Sequence, residues 1–595
     1  MQNNPLKIEF NRLKVLLTAE AEKIKNPENR NKFARSICQL VLKEFWSDTC
    51  TKNGCNWKIC ESFVQFDKPE STGESEACDV GSILAQLPFS ESSYLIGTLY
   101  TALLPQETQA DFGAYYTPPA LVDRLVGMVT DQGFDWKNGT VMDLSCGGGA
   151  FLSPVALRML ESYSVKDRGN PSRILELISK RLQGFEIDPF AAWMSQVLVE
   201  IVLLEICINA STRLPIIVNV CDTLETLPNN GEEVDLVIGN PPYRKITLPP
   251  HQRRIFSRSL YGHANLYGVF TDIAIRWTKP AGLIAYVTPT SFLGGQYFKS
   301  LRALLSQYAP PVLMDFISDR KGVFEDVLQE TMLVVYKRTE NEKEISRDQW
   351  VTVHDLKSNG PEKPVVSERI GTFLLPNGGE EPWIIPKAPD QVKLIDNLKR
   401  MRNRIVHFGF EVNTGPLVWN RHKNQMSTEK QEGNYPLIWA ESIHPDGRFL
   451  FSAKKRNHRP YLTLKRNQEF LVTKKPCILI QRTTAKEQKK RIVATTLPKE
   501  FLHMHGGVVI ENHVNIIKQT KSPSLASLET LAVLLNSKMI DKIFRLINGS
   551  VAVSAFELKA LPLPNKSDIR HLEQLIQSGV SNSEIELAIK MMYER

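Results

Sequence analysis

Val141-Met142-Asp143-Leu144 runs into Ser145-Cys146-Gly147-Gly148-Gly149-Ala150-Phe151-Leu152, and that passage decides how the chain is read. The first four residues suit a short buried strand and the last ones open a helix. Three consecutive glycines between them admit positive φ and let a ligand touch the main chain. Such a turn is shared by many nucleotide-binding folds. This one lacks the Lys and Ser/Thr of a phosphate-binding P-loop, which argues against ATP or GTP hydrolysis.

Downstream, β-rich runs alternate with helical stretches. Leu182–Ile187, Pro215–Asp222, Val234–Asn240, Gly282–Pro289, Val312–Ile317 and Thr331–Lys337 read as strands, and helices are expected near Val269–Trp277 and Lys299–Tyr308. The alternation predicts an α/β fold with a mostly parallel sheet and helices on both faces. Such sheets bind ligands at the carboxyl ends of their strands. Glu186 ends the second strand, where a carboxylate can bond both hydroxyls of a ribose. Asp222 ends the third, where it can accept from an adenine amino group. A lone strand-end carboxylate is usually solvated or a helix cap. Asp143, Glu186 and Asp222 in order, around a glycine turn, favour a nucleoside ligand.

The most specific feature follows the next strand: Asn240-Pro241-Pro242-Tyr243. Two prolines after an apolar strand make a stiff loop that lacks two backbone donors. Asn240 adds an amide oxygen and Tyr243 a flat face. The chemistry that needs this set is alkylation of an amino group conjugated to a ring or carbonyl, whose lone pair is delocalised. Hydrogen bonds from that nitrogen to the Asn240 oxygen and the Pro241 carbonyl favour the pyramidal geometry that frees the lone pair. They also stabilise the charge growing on nitrogen. Tyr243 can stack on a base and hold it at attack distance. No metal or general base is required.

These motifs resemble the gamma-class, Taq-type N6-adenine DNA methyltransferases of restriction-modification systems. The likeness runs from about residue 111 to 340 and more loosely from 400 to 564. It implies a class I, Rossmann-like methyltransferase fold and S-adenosylmethionine as cofactor. Gly113 to Pro118 resembles the opening motif, with Tyr115 and Thr117 near the methionine part. Asp143, Ser145, Cys146 and Gly147 fall in the main cofactor loop. Glu186 and Ile187 fall in the ribose motif, Asp222 where the cofactor adenine is bound, and Asn240 to Tyr243 on the catalytic tetrapeptide. In Asn265-Leu266-Tyr267-Gly268-Val269-Phe270, Phe270 is implied to line the cofactor pocket, and Phe324 is implied to be a second aromatic against the target base.

Residues 1–110 read as a helical N-terminal region with a polar loop at Asp67–Glu76 and no visible chemistry. Residues 111–340 read as the catalytic domain and 341–400 as a Pro/Gly-punctuated connector. Residues 401–564 are mixed, strand-rich and basic, and 565–595 form a helical tail. In 401–564 the stretches Pro436–Trp439, Cys477–Arg482 and Leu531–Pro564 resemble the family's target-recognition domain. Residues 451–500 hold 14 Lys/Arg against three Glu and no Asp, a net +11, when the whole chain carries only +8. Lys454, Lys455, Arg456, Arg459, Lys465, Arg466, Lys474, Lys475, Arg482, Lys489, Lys490 and Arg491 are therefore candidate phosphate contacts. An adenine amino group lies inside the stacked duplex, so double-stranded DNA as substrate requires the base to be rotated out, with Tyr243 and Phe324 as pocket walls.

The remaining features narrow the class. A 42% hydrophobic and 23% charged composition is that of a globular chain. No apolar run reaches the length of a membrane span, and Val197–Ile208 is broken by Glu200 and Glu205. The first residues lack the layout of a secretion signal, so a cytoplasmic protein is expected. Cys50, Cys55 and Cys60 recur every five residues without the spacing of a zinc site, and no metal is expected. The first 110 residues are short for a nuclease domain, so a separate cognate restriction endonuclease and monomeric action are expected. The competing readings are methyl transfer to a protein glutamine or to RNA by the same tetrapeptide, a DNA-binding subunit without activity, and a fused methylase-nuclease.

Overall fold

The computed structural model describes residues 4–64, 73–112, 117–164, 169–229, 231–317, 330–340, 348–357, 365–483, 490–521, 524–547 and 552–595, with 110–112 as backbone only. The chain forms two compact units, Met1–Pro289 with Ala303–Gly378, and Thr290–Arg302 with Gly379–Arg595.

The first unit is built on a nine-stranded sheet. Its strands are β1 (Val141–Asp143), β2 (Leu182–Glu186), β3 (Val218–Val220), β4 (Val234–Gly239), β5 (Thr278–Pro289), β6 (Pro311–Ile317), β7 (Thr331–Lys337), β8 (Trp350–Lys357) and β9 (Val366–Leu374). Their spatial order is β9-β8-β6-β7-β5-β4-β1-β2-β3. β1 pairs in parallel with β2 and β4, β2 with β3, and β4 with β5. β7 is inserted antiparallel between β5 and β6, and β9 closes the edge antiparallel to β8. This is the mostly parallel, Rossmann-like α/β sheet expected from the sequence.

The strands are apolar on both sides because helices cover both faces. Val141, Met142, Leu236, Val237 and Ile238 are fully buried. The order turns back at β1/β4, which places the ends of β1, β2, β3 and β4 around one crevice. β8 and β9 are additional to the seven strands read from the sequence and lie within the stretch taken as connector. Their alternation is masked there by flanking glycines and prolines.

Six helices precede β1 among the described residues, the first four being α1 (Pro5–Lys23), α2 (Pro27–Lys52), α3 (Glu74–Leu84) and α4 (Phe89–Leu103). Asn4 and Asn26 cap α1 and α2, each followed by a proline preset for a first helical turn. The expected loop at Asp67–Glu76 lies largely outside the described residues, and Glu74 already begins α3. Phe10, Leu13, Ile37, Phe45, Leu99 and Tyr100 share one core with Phe190, Trp193 and Val197 of the helix Pro189–Val202. That helix is buried on every face, which explains its apolar sequence. Among the described residues no single helix is long and apolar enough to cross a membrane.

The second unit is strand-rich with flanking helices. A four-stranded antiparallel sheet orders Phe410–Thr414, Val514–Gln519, Cys477–Gln481 and Ala494–Thr496. A five-stranded sheet includes Asn434–Ile438 and Val508–Ile510 in parallel. The last helices, Lys566–Gln577 and Asn582–Glu594, close the same core through Leu572 and Ile589.

Candidate cofactor and catalytic site

A cavity of about 450 Å³ opens at the strand ends of the first unit. That volume is within the range of small-ligand sites. The sequence around it forces each group into place. Asp143 ends β1 and turns its Oδ1 back to accept from the Ser145 amide at 3.0 Å. Gly239 of β4 has no room for a side chain, since a Cβ there would lie 2.6 Å from Asp143 Oδ1. Gly149 takes φ +83° and would place a Cβ 2.8 Å from Ser195 Oγ, so the glycine run lets the turn close onto the helix Pro189–Val202.

The Glu186 carboxylate faces this turn. Its Oε2 accepts from the Gly147 amide at 2.8 Å, and its Oε1 accepts from the amides of Ile187 and Asp188, both at 2.9 Å. Burial raises its pKa to about 7 against the pull of those amides. Burial likewise raises Asp143 to about 8, and its Oδ2 accepts no hydrogen bond among the described residues. Asp222 follows β3, accepts from the Leu224 amide at 2.9 Å and lines the cavity. Ile187 also lines it and is 52% exposed.

Of the residues read from the sequence, Thr117, Ser145, Cys146, Gly147, Glu186, Ile187, Asp222, Asn240, Pro242 and Phe270 are brought together on this one wall. Asp143 lies beneath it, against Gly239. Tyr115 and Phe324 fall outside the described residues. Cys146 is buried, and its amide donates to the Phe185 carbonyl at 2.9 Å.

The Asn-Pro-Pro-Tyr loop leaves β4 at the edge of the cavity. Asn240 Nδ2 donates to Thr117 Oγ1 at 3.1 Å. The Tyr243 hydroxyl reaches Asn240 Oδ1 and lies 2.9 Å from the Val287 carbonyl. Its ring meets Tyr267 edge to face at 6.2 Å. Tyr243 and Pro241 thus stand outside the cavity lining in this state, and Tyr243 is tied to the amide oxygen rather than presented as an open wall.

Sequence reasoning passed over Tyr100, Leu104, Asp188 and Arg244, all of which line the cavity. Asp188-Pro189 carried a signal, an acidic cap before a first-turn proline. Tyr100 and Leu104 carried none, because α4 reaches the site only through tertiary packing.

The basic stretch in the second unit is divided. Lys454, Lys455, Arg456, Arg459, Lys465, Arg466, Lys474 and Lys475 are exposed. The loop bearing the first of them is anchored: Glu441 accepts from the Lys454 amide and His458, and the His458 ring stacks on Trp439 at 3.7 Å. Arg482 donates to the Asn512 carbonyl at 3.0 Å and Lys490 to the Asn536 carbonyl at 2.7 Å. Arg491 is buried. Arg482 and Lys490 are half-buried, and Lys489 lies outside the described residues. Among the described residues no group of three or more potential metal ligands occurs.

Residues 186–324 match the Eco57I restriction-modification methylase family. The chain is 25% identical over 357 residues to the Type II methyltransferase M.PstI of Providencia stuartii, covering 59% of this chain and 69% of that one. It is 23% identical over 496 residues to the Type II methyltransferase M.BsuBI of Bacillus subtilis, covering 82% of this chain and 94% of the relative. The Type IIL restriction-modification enzyme MmeI, solved in complex with DNA, shares the fold with a TM-score of 0.51 at 14% identity, over 99% of this chain and 94% of that one. The family match begins at Glu186 and includes the whole Asn240–Tyr243 loop.

Proposed function

We propose that this chain is a site-specific DNA methyltransferase that modifies N6 of an adenine turned out of duplex DNA, in a restriction-modification system. The observation that carries the proposal is the Asn-Pro-Pro-Tyr loop at the rim of a cavity lined by Glu186, Asp222 and the Ser145–Gly148 turn. S-adenosylmethionine supplies the methyl group when bound. The residues present fit it: buried carboxylates suit a cationic ligand, glycines expose main chain, and Ile187 and Phe270 offer apolar cover. Glu186 holds the ribose, Asp222 the adenine amine, and Thr117 the loop between cofactor and catalytic amide.

Asn240 Oδ1 and the Pro241 carbonyl accept the two hydrogens of the target amine and stabilise the charge that develops on it. For that, Asn240 Oδ1 exchanges the Tyr243 hydroxyl for the incoming amine, and the released ring stacks on the flipped base. The resemblance assigns Tyr115 a role toward the cofactor and Phe324 one toward the target base; both lie outside the described residues. The second unit reads the DNA sequence, with its exposed cations on phosphates. The enzyme works as a monomer beside a separate endonuclease. Similarity to Type II methyltransferases favours DNA over a protein glutamine or RNA as substrate.

The test is methylation of a duplex pool of diverse sequence by the purified chain with the cofactor, followed by nucleoside mass spectrometry. The proposal expects 6-methyladenine. Methylated cytosine, or no modified base, contradicts it.

A further inference from the structure

We infer that α2 and α4 are a working part of the cofactor site: Arg35 and Tyr100 are positioning residues that fix Asp188, and through it the ribose-binding carboxylate of Glu186. This rests on the methyltransferase reading above and extends it to a region whose sequence shows no chemistry.

Asp188 is nearly sealed from solvent, at 2% exposure. Its Oδ1 accepts from Arg35 Nη2 at 2.9 Å and from the Phe190 amide at 3.1 Å. Its Oδ2 accepts from the Tyr100 hydroxyl at 2.6 Å. Both oxygens are therefore engaged from two N-terminal helices and from the helix Asp188 caps. The amide of the same residue donates to Glu186 Oε1 at 2.9 Å. Glu186 and Asp188 are two residues apart on one turn, so holding the Asp188 side chain holds the main-chain donor that orients Glu186. Tyr100 also lines the cavity with Leu104 and packs on Phe190 at 4.8 Å between ring centres.

A purely structural ion pair predicts something different. The four helices are already held by the apolar core they share with the helix Pro189–Val202. Removing one hydroxyl or one guanidinium takes little from that core. It leaves a buried carboxylate short of donors, and the turn must rearrange to satisfy it. The effect should appear in cofactor affinity before it appears anywhere else.

The experiment compares the full-length wild type with Tyr100→Phe, Arg35→Met and Arg35→Lys. Calorimetry measures binding of S-adenosylhomocysteine, anisotropy measures binding of duplex DNA, and steady-state kinetics separate KM for the cofactor from kcat. Tyr100→Phe and Arg35→Met should each weaken cofactor binding by about ten-fold or more, the scale of one lost charge-assisted hydrogen bond. KM should rise more than kcat falls, DNA affinity should hold, and Arg35→Lys should recover part of the loss. Variants that bind the cofactor as wild type does overturn the inference alone. Cofactor and DNA affinity falling together, with no recovery in Arg35→Lys, overturn it in favour of a structural role. A wild type that does not bind the cofactor overturns both this inference and the methyltransferase reading.

Discussion

At the strand ends of the sheet, Asp143, Glu186 and Asp188 are almost wholly buried, and backbone amides meet them at 2.8–3.1 Å. Along residues 451–500 the same chain places Lys454, Lys455, Arg456, Lys465 and Arg466 in solvent. A buried polar group is costly, so each of these carboxyls has at least one oxygen met by a donor at a fixed position, and its value lies in geometry. An exposed cation costs little, tolerates movement and acts by number, through a field that salt screens. The first region can position one small molecule. The second can hold a long polyanion in many registers.

The comparison can be broken at its sharpest point by Asn240→Ala. Turnover in a tritiated-methyl assay should fall by at least about 10²–10³, the scale of removing one preorganised transition-state partner, with cofactor affinity kept. Unchanged turnover would remove Asn240 from the chemistry. Gly239→Ala tests whether the buried carboxylates tolerate displacement. Its methyl would press on Asp143 Oδ1, and urea unfolding should show a loss of about 1–3 kcal/mol, as overpacking does. A midpoint equal to wild type would show that the Asp143 turn is not fixed.

The exposed side of the comparison answers to Lys454→Glu, Lys455→Glu and Arg456→Glu together. Duplex affinity should drop without loss of stability, and the slope of log affinity against log salt should shrink by roughly one per lost phosphate contact. Equal affinity and slope would take this loop out of the interface.

The buried carboxylates also predict a pH dependence. Asp143, raised to about 8, and Glu186, raised to about 7, keep their protons to higher pH folded than unfolded. Folding then binds protons between their ordinary values and these raised ones, so cofactor-free stability falls across that window and levels off above about 8. Asp143→Asn should flatten the fall. A melting temperature that changes with pH identically in the variant would contradict the assignment.

Much of this was legible in residues, for identifiable reasons. Seven strands announced themselves as runs of β-branched and apolar residues because a doubly covered sheet leaves them no polar face. Glu186, Asp222 and Asn240 were legible because a strand end is a position that periodicity can locate. β8 and β9 escaped because Gly360, Pro361 and Pro364 between them read as a connector. Arg35 and Tyr100 escaped because nothing local says that α2 and α4 fold back onto Asp188. Charge counting could not tell Lys454, which is exposed, from Arg491, which is buried, since direction is decided by packing. The sequence assigned Tyr243 a stacking face. The structure adds a hydroxyl tied to Asn240 Oδ1.

The central claim is that the Asn-Pro-Pro-Tyr loop beside this cavity methylates the exocyclic amine of adenine in DNA. Its most direct test is expression of the wild type and of Asn240→Ala in cells free of other adenine methylation, with modified bases mapped by long-read sequencing. Wild-type DNA should carry 6-methyladenine at one recurrent sequence, and the variant's DNA should carry none. Unmodified adenine in both, with soluble full-length protein present, would contradict the account.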